Sequence, residues 1–172
     1  MRVISMVHAL PLLIGMTLVG CTVKVNNVRV DTAKIDARVS VSLRCAYRLQ
    51  SVSDQRPSGD RAGTLGVNLL TVENAPDTLR SQLLQAGLAD AGGDGMPVSI
   101  ELMRLYINQN LYTSLPTVVY RAKVGEGQPF IVRSQLGTMS WSGSEKSVYE
   151  GYAAAMRDAN TRLIGELNAR CQ

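Results

Sequence analysis

The chain has 172 residues, 45% apolar and 19% charged, enough for one domain with a hydrophobic core of its own. Its 18 Lys/Arg against 14 Asp/Glu leave a formal charge of +4, a surplus too small and too evenly spread for a nucleic-acid footprint. The only histidine is His8, so a chain shorn of its first residues has no imidazole for a Ser–His or Cys–His pair and no histidine metal ligand.

The first twenty residues have the zones of an export signal. Arg2 supplies a positive start, and residues 7–19 form an apolar run broken by His8, Pro11, Gly15 and Thr17. A membrane-spanning helix needs about 20 mainly apolar residues, and this run is shorter. It ends in Leu18-Val19-Gly20-Cys21, which resembles the lipobox of bacterial lipoproteins. The resemblance implies that residues 1–20 are a lipoprotein signal peptide. Cys21 would take a diacylglycerol on its thiol, become the new N-terminus and be N-acylated with a palmitate-type chain. Each buried methylene contributes about 0.8 kcal/mol, so three chains make a durable anchor. Thr22, in place of an Asp, favours the outer membrane, with the domain facing the periplasm. The alternatives are an ordinary signal peptide before an unrelated cysteine, or a buried N-terminal helix. Cleavage removes His8 and Arg2, leaving 152 residues with 17 Lys/Arg against 14 Asp/Glu.

Residues 21–36 then carry loose apolar positions (Val23, Val25, Val28, Val30, Ile35) among polar ones, and fit either a short tether or an edge strand. Residues 37–172 are expected to be a single domain. Over 38–50, Val39, Val41, Leu43, Cys45, Tyr47 and Leu49 alternate with polar residues, the period-two signature of a strand with one buried face. Arg38, Arg44 and Arg48 lie on its wet side, either as an anion-binding stripe or, more plainly, as solvated charges that protect an edge. Gly59, Gly63 and Gly66 punctuate a polar loop; no Lys-Ser/Thr pair opens a helix behind them, so turn glycines are expected and not a phosphate cradle. A short strand fits 65–72.

Asn74-Ala75-Pro76-Asp77 then starts a helix, with Leu79, Leu83 and Ala86 on one face to about Ala91, where Gly92-Gly93-Asp94-Gly95 stops it. One acidic group in that run is too few for calcium, which takes six or more oxygens. Val98, Ile100 and Leu102 alternate in the next strand, 97–108, with Met103, Leu105 and Ile107 assigned to its other face. Val118, Tyr120, Ala122 and Val124 form one arm of a hairpin through 125–129, and Phe130, Val132 and Leu136 lead the other. A last helix covers about 145–168, with Ser147 and Glu150 spaced as a capping box. Val148, Tyr152, Ala155, Ala159, Leu163 and Leu167 make its core stripe. The order implies an α+β two-layer sandwich: a mainly antiparallel sheet of four to five strands with two helices on one face.

Cys45 and Cys171 remain for disulfide chemistry. An even pair in an oxidising compartment is more often bridged than free. Cys45 sits on the inward face of a strand and Cys171 just past a helix expected to cover it, so a bridge between them is expected, with two buried free thiols as the alternative.

The lipobox, the strand end Val52-Ser53-Asp54-Gln55-Arg56, the glycine-bearing loop and the helix segment 78–88 (TLRSQLLQAGL) together resemble the YajG-type envelope lipoproteins. In that family a D-x-R segment closes the first strand and a helix with an L-x-x-x-L core follows. The resemblance implies a small outer-membrane lipoprotein without established catalytic activity. The expected function is a non-enzymatic interaction or accessory module, held in the membrane by the acyl chains on Cys21 and meeting an unidentified envelope protein, with no nucleic acid, metal or cofactor. The alternative is a domain that binds a small envelope ligand such as a lipid, a peptidoglycan fragment or an anion, with Tyr106, Leu111, Tyr112, Leu115, Pro116 and Tyr120 as a groove wall. Enzyme chemistry has no supporting spacing: Ser144 and Lys146 are two apart, not at the S-x-x-K offset.

Overall fold

A computed structural model of the chain describes residues 25–110, 112–140 and 144–171. The signal segment 1–20, Cys21, Thr22 and Leu111 lie outside the described residues. Strand β1 (Asn26–Arg29) leads through a single 3-10 turn (Thr32–Lys34) and an irregular stretch into β2 (Tyr47–Asp54), β3 (Arg61–Leu65) and β4 (Asn68–Thr71). Helix α1 (Ala75–Gln85) follows, then β5 (Met96–Gln109), β6 (Thr113–Val124), β7 (Phe130–Arg133), β8 (Met139–Ser140) and the long helix α2 (Glu145–Ala169).

The strands form one mixed eight-stranded sheet in the order β1-β4-β3-β5-β6-β7. The sheet is therefore larger than the four to five mainly antiparallel strands expected, and three of its pairings run the other way. β2 lies parallel to β5, β1 parallel to β4, and β3 meets β5 in parallel at Ile107. The cause is connectivity: α1 lies between β2 and β5 in the chain, and a helical crossover returns the chain to the end from which it started. β2 and β3 share one edge of β5, meeting its first half and Ile107 respectively, while β7 and β8 share the far edge of β6.

Both helices cover the same face. Buried Leu79 and Leu83 of α1 join Val148, Tyr152, Ala155, Ala159, Leu163 and Leu167 of α2 in one core with Val98, Ile100 and Leu102 of β5 and Val118, Tyr120 and Ala122 of β6. A chain of hydrogen bonds runs through it. The Tyr120 hydroxyl donates to Asn160 Oδ1 (2.9 Å), Asn160 Nδ2 to Gln82 Oε1 (3.1 Å), and Gln82 Nε2 to the Ile35 carbonyl (3.2 Å). Tyr152 and Tyr47 donate to the carbonyls of Ala62 and Leu167, both at 2.7 Å. A buried tyrosine needs such a partner for its hydroxyl.

Several boundaries differ from the sequence expectation, each for a local reason. Residues 38–46 are not strand, although their alternation continues that of Tyr47 and Leu49. They cross the C-terminal end of α2, where Asn168 takes over the pairing: its Oδ1 accepts from the Arg44 N–H (2.8 Å) and its Nδ2 donates to the Ser42 carbonyl (3.0 Å). Helix α1 ends at Gln85, not Ala91. Gly87, at φ +103°, closes it with the paired bonds Leu88 N–H to Leu83 O and Gly87 N–H to Leu84 O, a Schellman motif. Asn74 precedes α1 in the left-handed region, φ +52°, and makes no side-chain cap. The cap of α2 is Ser144, whose oxygen accepts from the Ser147 N–H, one turn earlier than the Ser147–Glu150 box.

The glycine loop contains β3, which pairs with β4 as a hairpin. Gly63 sits at φ +139°, against the backbone of Ile107, and a Cβ there would overlap the Ile107 carbonyl oxygen. Both the conformation and the space demand glycine. Gly63→Ala should therefore detach β3 from β5 and destabilise the domain by about 2–4 kcal/mol. Chemical denaturation checks it: a loss below about 1 kcal/mol would mean that the β3–β5 approach adjusts freely.

Candidate interaction surface

The helices leave the other face of the sheet uncovered. Register places its side chains in rows. Ser99 lies beside Lys123; Glu101 beside Arg121, which lies beside Ile131; and Arg104 beside Val119, which lies beside Arg133. These rows exist because β5 bulges between Leu102 and Arg104. A bulge inserts one extra residue and resets the alternation. Leu105 and Ile107 therefore join Val98, Ile100 and Leu102 in the core, and not the opposite face as expected, while Arg104 turns outward beside Val119. The run Leu102-Met103-Arg104-Leu105 carries a trace of this, since no single period-two pattern fits both sides of Met103.

Arg121 pairs with Glu101, and Lys123 approaches Glu126 at 3.5 Å. The Arg104 and Arg133 side chains are exposed and make no hydrogen bond or ion pair among the described residues. Ile131 is 61% exposed between them and Arg121.

The second exposed feature is the outer edge of β1. This strand ends the sheet order, so among the described residues nothing pairs with its far side. The N–H groups of Asn26 and Val30 point inward to Val67 O and Thr71 O, which by alternation leaves those of Asn27 and Arg29 facing outward. Val25, Val28 and Val67 are exposed at this edge. A groove of about 230 Å³ runs beside it, walled by Val28, Val30, Leu65, Leu70, Val148 and Tyr149. From residue 25 to 36 the chain is thus a strand and turn tied into the domain, with Val30 and Ile35 in its core. The Asp31 N–H donates to the Tyr149 hydroxyl at 3.2 Å.

A wider cleft of about 890 Å³ opens between residues 32–39 and α1. Its wall is mainly polar, including Asp36, Arg38, Asn74, Asp77, Ser81 and Gln85. Hydrogen bonds from the Arg38 side chain and N–H hold the Asp36 carboxyl down at about 2, so the pair stays ionised across the ordinary pH range. Among the described residues no group of three or more His, Cys, Asp or Glu could hold a metal ion, and no helix is long and apolar enough to cross a membrane.

The structure joins Cys45 to Cys171, Cα to Cα 5.8 Å. It does not join the three arginines of 38–50. Arg38 pairs with Asp36, the Arg44 N–H meets Asn168, and Arg48 reaches the carbonyls of Gly95 and Ala91. No anion-binding stripe results. Nor does the tyrosine-bearing stretch form a groove wall: it is the β5–β6 hairpin, with Tyr120 in the core and Tyr112 at the tip, 81% exposed. The basic cluster Arg104, Arg121 and Arg133 escaped sequence reading because its members come from three strands.

These features define an α+β domain of two helices on one face of a mixed eight-stranded sheet. Among solved structures, protein XCC0632 from Xanthomonas campestris, of the family model DUF330, shares this fold. Its TM-score is 0.53 at 13% identity, over 78% of this chain and 90% of that one. An uncharacterized protein aligns with a TM-score of 0.46 at 10% identity, over 77% of this chain and 99% of that one. No family model and no curated protein matches the chain.

Proposed function

We propose that the protein is a lipid-anchored, non-enzymatic docking module of the outer membrane, facing the periplasm, that binds another envelope protein by strand addition at β1. The observation that carries this is the open edge of β1 with its apolar groove, beginning five residues after Cys21. An exposed edge offers main-chain hydrogen bonds to an extended segment, and a side groove takes alternate side chains of that segment. The lipobox and the resemblance to YajG-type lipoproteins support the anchor on Cys21. The small-ligand alternative has the α1 cleft as its place, but that cleft is open and mainly polar, whereas small-molecule sites are concave and mostly apolar.

One experiment tests both halves in the full-length chain. A photo-crosslinking residue at Val28 should give a protein adduct in the native envelope. Asn27→Pro, which removes an outward N–H and leaves the inward ladder, should reduce that adduct at least tenfold in a folded protein. Cys21→Ala should abolish fatty-acid labelling. An adduct indifferent to the proline would overturn docking at β1, and labelling that survives in the alanine variant would overturn the anchor.

A further inference from the structure

We infer that the uncovered face of β5, β6 and β7 is a second docking surface, for an acidic patch on a protein partner. Its strands present four basic residues, Arg104, Arg121, Lys123 and Arg133, against one acid, Glu101. Glu126, in the turn after β6, approaches Lys123 at 3.5 Å, so the face keeps a surplus of two positive charges. The Glu101–Arg121 pair is internally satisfied, while the Arg104 and Arg133 guanidinium groups have no partner among the described residues. They flank Val119 in a single row. Two strand spacings put their backbones about 10 Å apart. Guanidinium groups are rigid forks that bind carboxylates in pairs, and arginine is enriched in the buried centre of protein interfaces.

The residues between the charges decide which kind of anion fits. Val119 is half-buried and Ile131 exposed, both set among the arginines. An apolar residue ringed by cations suits a shaped protein surface, which can cover the isoleucine while its carboxylates meet Arg104 and Arg133. An anionic bilayer is the weaker match. Attraction to one is built by clusters of about 4–8 Lys/Arg, and this face has a surplus of two, with Glu101 in its midst and Glu126 at its end. A sheet with helices on only one face also lacks the second layer that commonly covers it.

The inference stands apart from docking at β1, and the test keeps the two separate. A photo-crosslinking residue replaces Ile131 in the full-length chain in its native envelope, with a second label at exposed Glu150 on α2 as control. The expected Ile131 adduct joins a partner peptide of net negative charge. It falls at least tenfold in Arg104→Glu/Arg133→Glu, falls less in Arg104→Gln/Arg133→Gln, and weakens with added salt, since rim charges act through screened fields. The Gln pair guards against misfolding of the Glu pair, and an unchanged thermal midpoint certifies both. Four results would each overturn the inference: no adduct, an adduct unchanged in the folded charge-reversal variant, a partner peptide without Asp or Glu, or a lipid adduct, which would make the face membrane-facing. A label at Val28 reports docking at β1 separately, whatever Ile131 shows.

Discussion

Reducing the Cys45–Cys171 bridge should lower the stability of the folded domain by about 5 kcal/mol. The two cysteines are 126 residues apart, and in the chain-entropy account a loop of that length constrains the unfolded chain by about this much. Small domains have only about 5–15 kcal/mol in total, so the reduced protein would be marginal. The loss also has a location. The bridge ties residues 42–46 to the last turn of α2, where Asn168 holds the Ser42 carbonyl and the Arg44 N–H, and Tyr47 donates to Leu167 O. Arg170 stacks over Phe130 at 3.9 Å in the same corner. Without the bridge this corner should fray first, and protease should reach the C-terminal turn before any other part of α2. Guanidinium denaturation with and without reductant is the measurement, with an expected midpoint shift of about 1–2 M. Cys45→Ala/Cys171→Ala should behave like the reduced protein. An unchanged midpoint with both thiols alkylated would show that the corner holds itself.

How far the sequence was legible depended on whether an element's pattern arose within one segment. The six stripe positions of α2, from Val148 to Leu167, are all buried, because helical periodicity reports one face against one core. The hairpin of β6 and β7 followed from alternation around Gly125-Glu126-Gly127 for the same reason. Pairing between distant segments left no such trace. Residues 39–45 alternate as a strand does, yet Asn168, more than a hundred residues away, supplies their hydrogen bonds. Tertiary context overrides strand propensity in this way. The parallel pairing of β2 with β5 follows from where α1 lies, and the face on which Leu105 falls depends on one bulge at Met103. The same distinction governs the candidate sites. Cys45 and Cys171 could be matched from sequence because only two cysteines follow Cys21, whereas the basic face assembles Arg104, Arg121 and Arg133 from three strands. Its position was therefore invisible until the sheet's register was known.

Asp54→Ala should cost about 3 kcal/mol, because it strands a buried cation. The Arg56 side chain is 1% exposed, yet it is held between strands by Asp54 in a forked pair (2.6–3.0 Å), by Asp60 at 3.4 Å and by the Val72 carbonyl at 3.1 Å. Its Nη1 has no partner among the described residues. Removing one member of a buried pair typically costs about 3–5 kcal/mol; Asp54 is 30% exposed, so water can partly replace it and the low end applies. Replacing both residues should be far less harmful, since Asp54→Ala/Arg56→Met leaves neither a stranded charge nor an unpaired Nη1. A double-mutant cycle should accordingly show strong coupling. The pH dependence has a defined sign. Burial raises the Asp54 carboxyl, but the Arg56 side chain and N–H outweigh it and hold it below the usual carboxylate range. A group depressed on folding stabilises above its unfolded value, about 3.9, and that contribution disappears as pH falls through the folded value. The wild-type protein should therefore lose stability on acidification below about pH 4, and the Asp54→Ala variant should show a flatter acid limb. Equilibrium denaturation between pH 2 and 7 on the four proteins of the cycle checks both claims. A loss under about 1 kcal/mol for Asp54→Ala, or no recovery in the double variant, would mean that Arg56 is carried by Val72 and solvent. The pair would then not be what turns the chain from β2 into β3 along a shared edge of β5.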